Sequence, residues 1–238
     1  MQVVAGTSGF SYKEWVGSFY PDKTAPAAML SHYATQLPAV EINNTFYRMP
    51  RISVLEQWRT QVGDQFRFAI KASRRITHSK KLSDCSDEMA FLMGNLEVLG
   101  PTLGAVLFQL PPFLRKDRSR LADFIATLRP QTPAAFEFRH GSWFDDEIAT
   151  LLGDANLPWV VTESDDGSLP EPLATADWGY LRLRRTDYDQ RTLQQWRRKI
   201  EQANWSRVMV FFKHEDDCAG PALAQRFLAL DSHGDRNA

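Results

Sequence analysis

Nine polar side chains stand near the ends of seven short apolar runs. They are Glu41, Asn43, Lys71, Gln109, Glu137, Arg139, Glu163, Arg182 and Lys213. If each run is a strand, side chains alternate between its two faces, so every other residue shares a direction. In FRFAIK the outward face carries Phe66, Phe68 and Ile70, and Arg67, Ala69 and Lys71 point inward. In AAFEFR, Phe136 and Phe138 face out while Glu137 and Arg139 face in. The same reading sends Glu41 and Asn43, Gln109, Glu163, Arg182 with Arg184, and Lys213 inward. A charge that ends an apolar run is unfavourable without a partner or a ligand. A ring of such charges drawn from successive strands is therefore a candidate site.

Several chemistries suit those residue types. Lys71, Arg139 and Arg182 could hold an anion, because guanidinium and ammonium groups grip phosphate or carboxylate oxygens. Glu41, Glu137 and Lys71 are then the catalytic candidates, with the two acids as acid–base groups oriented by the cations. Ser8, Tyr12, Asn43, Tyr47, Gln109, Trp143, Glu163 and Lys213 complete the expected ligand-binding set. Three alternatives rank lower. A divalent metal could be held by Glu41, Glu137 and Glu163 with His140 or His214, but no HxH or HExxH spacing supports it and Arg139 and Lys213 would repel a cation. Two-carboxylate glycoside hydrolysis needs one acid kept protonated, which dense cations oppose. A Schiff base on Lys71 or Lys213 needs a lowered pKa, whereas neighbouring Glu residues would raise it. No cofactor or metal is expected. The bland alternative for the whole ring is a self-paired ion network.

The elements that must position these groups follow from periodicity. Strand candidates are QVVAG, PAVEIN, FRFAIK, LGAVLFQL, AAFEFR, PWVVTE, GYLRLR and RVMVFFK. Between them run apolar stripes at helical spacing: Met29, Leu30, Tyr33, Ala34 and Leu37; Met89, Leu92, Met93, Leu96 and Leu99; Leu121, Phe124, Ile125 and Leu128; Leu193, Trp196 and Ile200. Pro221 suits the first turn of a last helix. Alternating strands and helices call for a parallel sheet, and eight such units close most simply into a single (β/α)₈ TIM-type barrel. The segment SDDGSLPEPLATAD breaks the pattern, because its prolines and glycine disfavour a helix, and a loop is expected in place of the sixth one. One domain over 1–232 with a polar tail over 233–238 is expected.

The totals fit this architecture. The chain has 238 residues, near the ~250 typical of such barrels. A formal net charge of −1 argues against a generally basic nucleic-acid or membrane-surface coat, though not against a local basic patch. The two cysteines, Cys85 and Cys218, form no CxxC pair, which fits a reducing compartment. Neither a signal-peptide pattern nor an apolar run of about 18 residues is present, so a cytoplasmic location and no membrane partner are expected.

Longer segments carry a resemblance. GTSGFSYKEW, EINNTFY, FRFAIKASRRITH, LGAVLFQLPP and AFEFRHGSW together resemble the YecE-like family, a domain-of-unknown-function family, along nearly the whole chain. The resemblance implies a TIM-type barrel and supplies no reaction, cofactor or catalytic residue. The positions it marks as characteristic are Gly6, Ser8, Gly9, Trp15, Glu41, Asn43, Phe46, Tyr47, Lys71, Gln109, Pro111, Glu137, Arg139, Trp143 and Arg182. The last third departs from the family pattern. The seventh strand ends Arg182-Leu183-Arg184-Arg185 where Arg-x-His-Gly is usual, and the eighth ends Phe212-Lys213-His214-Glu215 where Phe-Asn-Asn is usual. The departures add positive charge.

Two loops could extend the site. GTSGFSYKEW could present backbone N–H groups to an anion, although it lacks the Gly-Lys-Ser/Thr element of a P-loop. RRITHSKK could add a basic rim with Arg182, Arg184 and Arg185, interleaved with Tyr12, Trp15, Phe46, Tyr47, Trp143 and Phe144. The leading expectation is an enzyme acting on an anionic, phosphate-bearing small molecule. The alternative is a non-catalytic binder of a nucleic-acid end or nucleotide-like ligand through the same basic rim.

Overall fold

The computed structural model describes residues 1–163, 170–185, 187–213 and 218–230. Eight parallel strands appear where the apolar runs stand: β1 (Gln2–Ser8), β2 (Ala39–Ile42), β3 (Arg67–Lys71), β4 (Leu103–Gln109), β5 (Ala134–Glu137), β6 (Val161–Thr162), β7 (Trp178–Leu183) and β8 (Arg207–Phe212). They pair in the order β5-β4-β3-β2-β1-β8-β7-β6. The ring closes between its ends through a parallel bridge, Phe136 to Trp159. There Phe136 N donates to Pro158 O at 3.0 Å and Val160 N donates to Phe136 O at 2.8 Å. The fold is a TIM-type (β/α)₈ barrel.

Helices α1 (Pro26–Gln36), α2 (Ile52–Thr60), α3 (Ser86–Leu96), α4 (Arg118–Ala126) and α5 (Asp146–Asp154) follow the first five strands, and α6 (Gln190–Gln202) and α7 (Ala219–Leu228) follow β7 and β8. The expected stripes on α1, α3, α4 and α6 are their buried faces. Asp117, Asp145 and Asp189 cap α4, α5 and α6 by accepting N–H groups of the first turn. Residues 170–177 carry no helix, and the next helix after β6 among the described residues is α6. The rest of the proline-containing segment (164–169) and the tail (231–238) lie outside the described residues.

Two apolar layers result. The larger lies between strands and helices and holds Phe66, Phe68, Phe136 and Phe138, as their phase requires. The smaller fills the barrel axis with Val4, Ala39, Ala69, Ala105, Leu107, Ala135, Val160, Trp178, Tyr180, Met209 and Phe211. Its division is uneven. β2, β3 and β5 contribute alanines because the large side chains of β7 and β8 occupy the axis. Gly6 belongs to the same packing problem: a Cβ there would lie 1.7 Å from Ala39 O on the next strand.

Candidate functional site

Alternation carries the inward face of each strand past this apolar plug to the carboxyl ends. Ser8, Glu41, Asn43, Lys71, Gln109, Glu137, Arg139 and Arg182 converge there. Glu41 and Glu137 are fully buried, and Arg182 is 5% exposed between them. Arg182 donates from Nε to Glu41 Oε2 at 2.8 Å, from Nη2 to Glu41 Oε1 at 2.9 Å and from Nη1 to Glu137 Oε2 at 2.7 Å. A longer contact reaches Gln109 Oε1 at 3.4 Å. Arg139 Nη2 meets the other oxygen of Glu137 at 2.5 Å.

Glu41 accepts further bonds from Ser8 Oγ at 2.8 Å, Asn43 Nδ2 at 2.9 Å and Tyr180 Oη at 2.7 Å. Burial alone would raise its carboxyl. The Arg182 charge and the hydrogen bonds from Arg182, Tyr180 and Asn43 outweigh burial and bring it down to about 2. Burial likewise works against the Arg182 charge, and the two carboxylates overcome it, so the guanidinium is held above its ordinary range. Tyr180 was not among the residues singled out from the sequence. Its signal was there, since it shares the inward phase of β7 with Arg182.

Above this buried cluster opens a cavity of about 740 Å³ lined by Ser8, Tyr12, Asn43, Asn44, Phe46, Tyr47, Lys71, Gln109, Pro112, Arg139, Arg182, Arg184 and Lys213. Five of those side chains are cationic, and no acid among the described residues lines it. Lys71 Nζ sits 4.3 Å from the centroid of the Phe46 ring. Burial lowers its ammonium to about 8, reinforced by the Arg182 and Arg139 charges against the opposing pull of Glu137 and Glu41. The expectation that neighbouring acids would raise Lys71 is therefore corrected: both acids are neutralised by arginines, and desolvation prevails. Two polar atoms of cavity-lining side chains, Asn43 Oδ1 and Arg139 Nε, are buried with no hydrogen-bond partner among the described residues.

Two expected ligand-binding residues sit elsewhere. Glu163 does not face the axis. Val160 belongs to the axial cluster, so Thr162 shares the inward face of β6 and Glu163 falls on the opposite one. It is buried against α6 and the preceding loop, accepting from Tyr188 Oη, from Trp196 Nε1 at 3.1 Å and from Arg184 N at 3.1 Å. The Tyr188 and Trp196 donors behind the barrel meet an acceptor there, and the two-residue β6 left the phase of Glu163 open to sequence reading. Trp143 is also buried, stacked on Phe138 at 4.8 Å with its Nε1 donating to Leu114 O at 2.7 Å. It backs the β5 end from the helix side and does not line the cavity.

The loops behave unevenly. After β1, Tyr12 Oη folds back to donate to Ser8 O at 2.6 Å, a turn that Gly9 permits with φ of +105°. Trp15 is fully buried. Arg75 and Lys80 both engage Glu88 on α3, at 3.0 and 2.8 Å, so this part of the basic loop turns from the cavity. Arg185 lies over the Tyr188 ring. Phe144 is exposed but stands against Trp159, outside the cavity. His140 caps its own turn by accepting from Ser142 N at 3.0 Å. His214 lies outside the described residues, among which no group of three or more His, Cys, Asp or Glu side chains is placed to hold a metal ion. No helix among the described residues is long and apolar enough to cross a membrane.

Fold and site together define a TIM-type barrel whose carboxyl-end mouth is a basic cavity over a buried acid–arginine–acid cluster, the face on which barrels of this type build their sites. The family model described as "Protein of unknown function DUF72" matches residues 4–236, and the chain belongs to that family. It is similar to the UPF0759 protein YunF of Bacillus subtilis (strain 168), 28% identical over 213 residues that cover 83% of this chain and 74% of that protein. Similarity to the UPF0759 protein YecE of Escherichia coli (strain K12), 29% identical, covers 60% of this chain and 50% of that one. Among solved structures, a DUF72 family protein from Thermotoga maritima superposes with a TM-score of 0.78 at 25% identity, covering 96% and 97% of the two chains. A DUF72 family protein from Enterococcus faecalis gives 0.80 at 17% identity, with 100% and 98% covered.

Proposed function

We propose that the chain is an enzyme that binds a small phosphate-bearing substrate in the basic cavity and moves a proton with Lys71. The observation that carries this reading is the asymmetry of the mouth. Lys71, Arg139, Arg184 and Lys213 line it, while Glu41 and Glu137 lie beneath Arg182 and give no oxygen to it. Positive charge gathered in a partly enclosed space favours an anion. Arg139 brings a guanidinium, suited to gripping phosphate oxygens, to the same wall.

This reading divides the roles differently from strand phase alone. Glu41 is too acidic and too fully hydrogen-bonded to exchange protons near neutrality, so it acts as a positioning residue for Arg182, and Glu137 does the same for Arg139 and Arg182. Lys71, lowered to about 8, exists in both protonation states near neutral pH and suits proton transfer. Ser8, Asn43 and Gln109 orient the ligand, with Tyr12 and Tyr47 at the rim.

The test is a set of thermal melts at constant ionic strength in chloride, sulfate, phosphate and a sugar phosphate. An anion that binds the folded chain raises Tm by mass action, since the unfolded chain has no assembled cavity. Lys213→Ala and Lys71→Gln should each remove most of the phosphate-specific rise. If both respond as the parent does, the rise is a general salting effect and the reading fails.

A further inference from the structure

A second cavity, of about 380 Å³, opens beside the basic one and shares Ser8, Tyr12, Asn43 and Asn44 with it. Its character is different. Phe10, Leu30, Ile42 and Trp58 form its apolar part, and Ser11, Gln57 and Gln61 supply neutral polar groups at its edge. Among the described residues, no charged side chain lines it. One ligand reaching from the basic cavity into this one would therefore be anionic at one end and neutral at the other.

The wall between the two carries an independent mark. Asn43 donates its Nδ2 hydrogen to the ionised Glu41 carboxylate at 2.9 Å, which fixes which way its amide faces, because a carboxylate can only accept. Its other end, Oδ1, is buried with no partner among the described residues. A buried acceptor left without a donor is unfavourable. Asn43 itself lines both cavities, so a small turn of its side chain would bring Oδ1 to a ligand hydroxyl or ring N–H passing between them.

From this geometry we infer that the substrate is a phosphomonoester carrying a neutral planar heteroaromatic ring, of the nucleoside monophosphate type. Its phosphate lies in the basic cavity, its ring lies against Phe10 and Trp58, and a donor between the two meets Asn43 Oδ1. Aromatic and aliphatic walls hold the face of a flat ring, and amide and hydroxyl groups at the rim match heteroatoms on its edge. An uncharged edge disfavours a second anionic group at that end. This inference rests on the reading of the basic cavity as a phosphate site and names what else the substrate must contain.

The experiment measures binding of inorganic phosphate, ribose 5-phosphate and the four common nucleoside monophosphates to the parent chain by calorimetry. It repeats the series on Ala27→Phe and Gln57→Trp. Both positions are exposed, line the second cavity only, and lie on different helices, so one variant checks the other if either fails to fold. At least one nucleoside monophosphate should bind about tenfold to a hundredfold more tightly than ribose 5-phosphate, the gain expected from one ring face buried on aromatic groups. Both variants should lose that gain and keep the affinity for inorganic phosphate. If phosphate and ribose 5-phosphate bind but no nucleoside monophosphate exceeds ribose 5-phosphate, the inference is overturned and the phosphate reading stands. A gain that survives both variants also overturns it, because the ring then lies elsewhere. If none of the three ligand types binds, the phosphate reading itself falls and the inference with it.

Discussion

Arg182 and Glu41, 141 residues apart in the chain, meet through two parallel hydrogen bonds of 2.8 and 2.9 Å at the centre of the barrel mouth. The paired geometry uses both Nε and Nη2 of the guanidinium and both oxygens of the carboxylate, a fit that lysine cannot reproduce. Because Nη1 also reaches Glu137, a single cation ties β2, β5 and β7 together.

Removing that cation should be severe. Arg182→Met leaves two buried carboxylates facing each other, and losing one partner of a buried ion pair costs about 3–5 kcal/mol. Urea unfolding at pH 7 reads this directly. Arg182→Lys should recover little, since one ammonium cannot serve both carboxylates in the observed geometry. Near-parental stability of Arg182→Met would show that water replaces the guanidinium.

Acid should act through Glu41. Its folded carboxyl lies near 2 against an ordinary 4.5, so the folded state binds this proton less readily than the unfolded one. The resulting stabilisation is complete above about 4.5 and is lost as pH falls toward about 2. Unfolding free energy measured from pH 6 to pH 2 should decline through that window. Glu41→Gln should begin lower and decline less steeply. Equal slopes in the two proteins would place the acid sensitivity on other carboxylates.

Lys71 should be unusually reactive for a lysine. Its ammonium lies near 8 instead of 10.5, so about half is the neutral nucleophile at pH 8. Acetic anhydride labelling, followed peptide by peptide in a mass spectrometer, should show its rate rising with a midpoint near 8. Exposed lysines should rise later. The same shift adds a stability term present above about 10.5 and lost as pH falls through about 8, because burial disfavours the charged form. Phosphate should slow the labelling and move its midpoint upward. A midpoint near 10.5 without phosphate would mean that the amine is hydrated in solution.

Glu163 offers the contrasting case. It accepts from Tyr188, Trp196 and the Arg184 backbone behind the barrel, away from the cavity. Glu163→Gln keeps the shape but turns one acceptor into a donor facing other donors, at a cost of roughly 1–3 kcal/mol. Stability should fall while the phosphate-specific rise in Tm is unchanged. A lost phosphate response would return Glu163 to the site.

Much of this protein was legible from residue order alone. The two-residue alternation of FRFAIK and AAFEFR, set between helical stripes such as Leu193, Trp196 and Ile200, determined eight strands, a parallel sheet and an inward set of polar ends. Those are local consequences of backbone geometry, and local geometry is written in short stretches of sequence. The inward direction of Lys71, Arg139, Arg182 and Lys213 followed from phase, as did their meeting at one mouth.

Which charges would satisfy one another depended on tertiary structure. Phase could place Glu41, Glu137 and Arg182 in one ring but could not say that Arg182 would take both acids and leave the cavity cationic, because that depends on heights around a staggered barrel. The two-residue β6 gave too short an alternation to fix Glu163, and only Val160 in the axial cluster settles its face. The lowered Lys71 has the same origin. Its environment is a sum over Arg182, Arg139, Glu137, Glu41 and lost water, contributed by strands far apart in sequence and brought together only when the barrel closes.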